Sequence, residues 1–166
     1  DSQSLLEQIL SFSAGTVSAE QVNQVLGTAD ETLLKSTVEM LIARNCAGAI
    51  QSLEQAVRSG VDAGQFGEQL LGYLRDLMVI SVGASSDIVG TASPQSYSEL
   101  KELGGRWGTT TILSAVQLLD EALVKMRHSV QSRLLLEVAL VQIGQLQDLQ
   151  RIDDLIQLLQ KAPEPS

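Results

Sequence analysis

Asp62-Ala63-Gly64-Gln65-Phe66-Gly67-Glu68-Gln69-Leu70-Leu71-Gly72-Tyr73-Leu74-Arg75-Asp76-Leu77-Met78-Val79-Ile80-Ser81-Val82 decides the fold class. Phe66, Leu70, Tyr73, Leu74, Leu77 and Met78 recur at spacings of three and four, the period of one face of an α-helix. Asp62 supplies a side-chain oxygen for the N–H groups that open a helix. The stretch predicts a helix from Asp62 to about Val82.

The same signals repeat upstream. Asp30 can cap a helix through Arg44, with Leu33, Leu34, Val38, Leu41 and Ile42 on one face. Asn45 can cap the next, whose buried stripe is Ile50, Leu53 and Val57. Gly60 ends that helix as a left-handed residue. Cys46 then falls at a helix start and reads as a small, buried or half-buried residue. Downstream the period fails from Gly83 to Gln95, a stretch rich in glycine, serine and alanine that contains Pro94. It reads as a long exposed loop.

Helices resume with Ser96 to Trp107, where Gly104-Gly105 is expected to interrupt the turn. Trp107 is expected in the core, and Arg106 beside it is a candidate partner contact. Thr109 or Thr110 can cap a helix striped by Ile112, Val116, Leu119, Leu123 and Met126, ending near His128. From about Gln131 to Leu146 the chain is apolar on nearly every side, which predicts burial on all sides and a central position. Arg133 and Glu137, one turn apart in it, are expected to pair as a structural or interface contact. Ile152, Leu155, Ile156 and Leu159 line a last amphipathic helix before Ala162-Pro163-Glu164-Pro165-Ser166.

Composition limits the function. Hydrophobic residues make up 44% of the 166 and aromatic residues 3%, so aliphatic side chains must fill the core. That balance favours helix over strand. The net charge is −9. Nucleic-acid surfaces need clustered lysine and arginine, so direct nucleic-acid contact is not expected. One cysteine and one histidine cannot build a zinc site. Asp153-Asp154 are helix neighbours pointing about 100° apart, which suits a solvated face better than a catalytic pair. His128 reads as a cation at a helix end, not as a phosphotransfer histidine. No Gly-x-x-x-x-Gly-Lys-Ser/Thr loop occurs, so no cradle for nucleotide phosphates is encoded. Catalytic, cofactor-binding and metal residues are therefore all expected to be absent.

The N-terminal region carries the most specific pattern. Ser4-Leu5-Leu6-Glu7-Gln8 reads as the inside of an amphipathic helix with no start signal before it. A polar turn over 13–17 follows, and Ser18-Ala19-Glu20-Gln21 forms a capping box for a short helix that stops at Gly27. This order, with Val25-Leu26-Gly27-Thr28, resembles the end of the lid domain in the clamp-loader gamma/tau subunit of bacterial DNA polymerase III. Asp62-Ala63-Gly64-Gln65-Phe66, Leu70 to Leu77, and Ser132-Arg133-Leu134-Leu135-Leu136-Glu137-Val138-Ala139-Leu140 resemble that family's third domain. Ser132 departs from the family pattern, which usually has proline there.

The resemblance implies an all-α fold, a collar-type helical bundle preceded by a two-helix remnant of the AAA+ lid. It implies residues 1–27 as the lid remnant, 28–161 as the collar, and 162–166 as the start of a linker. The chain is then expected to be a segment of a longer, cytoplasmic one. The implied function is non-catalytic oligomerisation in the pentameric ring that loads the sliding clamp. Implied partners are other gamma/tau copies and the delta and delta-prime subunits, with no membrane. ATP and Mg belong to a preceding part of the parent. The alternatives are the collar of another clamp-loader subunit such as delta-prime, or a helical interaction adaptor unrelated to replication.

Overall fold

The computed structural model describes residues 30–90, 92–146 and 149–161. Among them lie seven α-helices and no strand. These are α1 (Glu31–Ile42), α2 (Cys46–Arg58), α3 (Ala63–Ser81), α4 (Tyr97–Trp107), α5 (Thr109–Met126), α6 (Ser132–Gly144) and α7 (Leu149–Lys161). Two 3-10 turns, Ser86–Ile88 and Pro94–Ser96, lie between α3 and α4. The fold is all-α, as the helical period requires. The proposed lid remnant over 1–27 and the tail over 162–166 lie outside the described residues.

Capping follows the sequence closely in the first half. Asp30 accepts from Thr32 N at 3.1 Å, and Asn45 accepts from Gly48 N at 2.9 Å. Asp62 accepts from Gly64 N at 2.9 Å. Each satisfies an N–H that the helix itself leaves open. Gly60 takes φ +99° past the end of α2. Arg44 takes the left-handed conformation (φ 61°) after α1, a place where glycine is usual.

The centre of the bundle is α3, not α6. Helix α3 packs against α1, α2, α4, α5 and α6. It buries Ala63, Phe66, Gly67, Leu70, Tyr73, Leu74, Asp76, Leu77 and Ile80. Gly67 lets α5 come close, since a Cβ there would lie 2.7 Å from Leu123 Cδ2. The expectation that the apolar helix over 131–146 is central is therefore corrected. In α6, Leu136, Ala139, Leu140 and Ile143 face the core, while Leu134 and Val138 are 51% and 46% exposed. An apolar face can wait for a partner outside the chain, and periodicity cannot tell that from internal burial.

Three further corrections concern 83–110. Gly104-Gly105 does not interrupt α4, because the missing side chain at Gly104 seats the helix on α3. A Cβ there would meet Ser81 Cβ at 3.4 Å. Neither Thr109 nor Thr110 caps α5. Gly108, at φ 86°, holds the cap position, and Thr109 Oγ1 donates to Ser81 Oγ at 3.1 Å. The loop over 83–95 is not simply exposed, for Ala92 is buried and Asp76 of α3 holds the backbone around it.

Candidate functional site

Asp76 is 0% exposed in the middle of an otherwise apolar face. Its carboxylate accepts from Gly90 N at 2.9 Å and from Ala92 N at 2.8 Å. Arg75 Nη1 donates to Asp76 Oδ1 at 3.2 Å and to the Ile88 carbonyl at 2.7 Å. A buried charge survives only when paired and hydrogen-bonded, and these partners meet that need. A second carboxylate grips the far end of the loop. Glu31 accepts from Ser96 Oγ at 2.6 Å and from Ser93 N at 3.3 Å. Burial, reinforced by Glu31, raises the Tyr73 phenol above its ordinary value, so the ring stays neutral across the physiological range. Both carboxylates thus spend their hydrogen bonds on tying the 83–95 segment to α3 and α1.

The polar cluster on the outer side joins α2 to α6. Arg133 Nε donates to Glu137 Oε1 at 3.2 Å, and Arg133 Nη2 also donates to Glu54 on α2. Glu54 accepts in turn from Arg58 Nε at 3.0 Å. The result is a chain of alternating charge across two helices. Arg133 is still 44% exposed, so the pairing acts in high dielectric. Near the other end, Lys35 pairs with Glu99 at 3.1 Å and ties α1 to α4. That hydrogen bond raises the Lys35 ammonium above its ordinary value.

Arg106 is exposed on the last turn of α4, while Trp107 beside it is buried. Cys46 opens α2, half-buried, with its thiol donating to the Val141 carbonyl at 3.7 Å. His128 is exposed in the turn after α5. Sequence reasoning missed Glu54, Asp76 and Glu31. Asp76 carried a signal, a charge on the inward face of a long helix. Glu54 carried the i,i+4 spacing to Arg58, but nothing local pointed to Arg133, 79 residues away. No group of three or more histidine, cysteine or acidic side chains among the described residues is placed to hold a metal ion. No described helix is long and apolar enough to cross a membrane.

Large apolar side chains are also exposed. Leu134 and Val138 lie on the outside of α6, Val130 stands out in the bend just before it, and Leu113 and Val124 stand out on α5. Every residue from Asp154 to Lys161 of α7 is exposed, including Leu155, Ile156, Leu158 and Leu159. Exposed apolar area of this extent points to protein association.

Residues 17–159 match the family model described as DNA polymerase III subunits gamma and tau domain III. The chain belongs to this family. DNA polymerase III subunit gamma/tau of Mycobacterium tuberculosis is 30% identical over 141 residues, which cover 83% of this chain and 24% of that protein. DNA polymerase III subunit tau of Bacillus subtilis is 23% identical over 167 residues, covering 97% of this chain and 29% of that protein. This domain III therefore spans roughly a quarter of the length of the curated relatives it matches. The match reaches into α7, so the exposed terminal helix is part of the family's domain.

Proposed function

We propose that this domain III is the non-catalytic collar of a DNA polymerase III gamma/tau subunit. It packs against its counterparts in the pentameric clamp-loader ring that places the sliding clamp on DNA. The family match over 17–159 carries this reading. Its partners are further gamma/tau copies and the delta and delta-prime subunits, in the cytoplasm. Residues 1–27 are the end of the lid, 28–161 the collar, and 162–166 the start of a linker. ATP and Mg act in a preceding part of the parent. The work of the collar is mechanical. It fixes neighbours so that movements of their ATPase modules act together, and Arg106 is a candidate contact in that packing.

Sedimentation tests this directly. The 166-residue chain is expected to self-associate and to co-sediment with purified delta and delta-prime. Calorimetry with ATP is expected to give no binding heat. Strict monomers that ignore delta and delta-prime, or tight ATP binding, would overturn the reading.

A further inference from the structure

We infer that α7 of one copy docks on the outer stripe of α6 of a second copy, parallel to it. The inference rests on the assembly reading above and names the surfaces that perform it. Two apolar faces of the same chain lack a cover. One is Val130, Leu134 and Val138, exposed by 101%, 51% and 46%. The other is Leu155, Ile156, Leu158 and Leu159, exposed by 47–75%. Both helices have 13 residues, and both stripes use the spacing of four (Leu134 and Val138; Leu155 and Leu159). Amphipathic helices recognise such stripes by matched anchors one turn apart.

Charge sets the direction. Exposed Lys125, Arg127 and His128 gather where α5 turns into α6, while Arg133 in the first turn of α6 is already offset by Glu54 and Glu137. With Leu155 level with Leu134, and Leu159 level with Val138, a parallel α7 brings Asp153 and Asp154 to this basic end, where they outnumber the single Arg151 of its first turn. Lys161 then lies toward the C-terminal end of α6, whose open carbonyls favour a cation. The antiparallel arrangement reverses both contacts, setting Lys161 among the basic residues.

Chain length sets the partner. The end of α6 and the start of α7 are separated by residues 145–148. Such a segment reaches at most about 17 Å when fully extended. A parallel helix in the same chain must return the length of α6, roughly 20 Å, with a sideways step of about 9 Å. The connection is too short, so the parallel contact forms only between copies.

Complementation tests this with the whole 166-residue chain. L159D removes the docking helix's anchor and leaves the stripe. V138D spoils the stripe and leaves the helix. Both positions are exposed, and circular dichroism of each variant is expected to match the parent. In sedimentation the parent associates, each variant alone runs as a monomer, and an equimolar mixture recovers a 1:1 complex. Persistent association of either variant overturns the inference while leaving the collar reading intact, and so does a mixture that stays monomeric. A monomeric parent overturns this inference together with the self-association it rests on.

Discussion

Helices α3 and α6 exchange the places that their compositions suggest. α6 is apolar nearly all round, yet one side of it leaves Leu134 and Val138 open. α3 carries Arg75 and Asp76, yet it packs on five other helices. The difference teaches that apolar content measures how much surface a helix must cover, not what covers it. A central helix needs small residues where neighbours approach and local partners for any charge it buries. α3 has both, in Gly67 and in the Asp76 cluster. α6 has an excess of apolar surface, which fits a contact between molecules.

Substitution in the two helices gives the sharpest contrast. Phe66→Ala in α3 is expected to cost about 3–5 kcal/mol, because a fully buried ring leaves a cavity. Leu134→Ala, half-exposed on α6, is expected to cost less than about 1 kcal/mol in the monomer. Urea melts of the two variants break the comparison if the costs are similar.

Asp76→Ala tests the buried charge. It strands the N–H groups of Gly90 and Ala92, and a loss of about 3 kcal/mol is expected. Amide exchange at Gly90 and Ala92 should quicken more than exchange elsewhere. Unchanged protection at both amides counts against Asp76 as the anchor of the loop.

Tyr73 makes α3 sensitive to alkali. Burial raises its phenol above the ordinary 10.0, so the folded chain keeps a proton that the unfolded chain loses. Its contribution is complete below pH 10 and is lost as pH rises toward the folded value. Stability should fall by up to about 1.4 kcal/mol for each pH unit above 10. Lys35, also raised, titrates in the same window with the same sign. Tyr73→Phe should therefore flatten the alkaline slope without abolishing it. Identical slopes for variant and parent would show that folding leaves the phenol's titration unchanged.

The smallest effect belongs to Glu137→Ala. Arg133 keeps Glu54 and remains 44% exposed, so the variant should lose no more than about 0.5 kcal/mol. A loss of several kcal/mol in the monomer would mean that Arg133 is effectively buried. The sequence pairs Arg133 with Glu137 but offers no sight of Glu54, whose presence removes most of the penalty.

The chain's own order of residues determined the helices, since caps and periodicity are local. Asp30, Asn45, Gly60 and Asp62 act within a few residues of themselves, and the structure places each at the helix end it marks. The order of motifs also determined the family. Only the tertiary structure decided which helix is central, because centrality depends on contacts among helices distant in sequence. It alone turned the glycine-rich stretch over 83–95 into a strap held by Asp76 and Glu31, whose partners lie 14–65 residues away. It alone separated the apolar residues of α6 into those facing the core and those facing outward. A helical period records that a face is apolar, and the identity of its cover is fixed by packing.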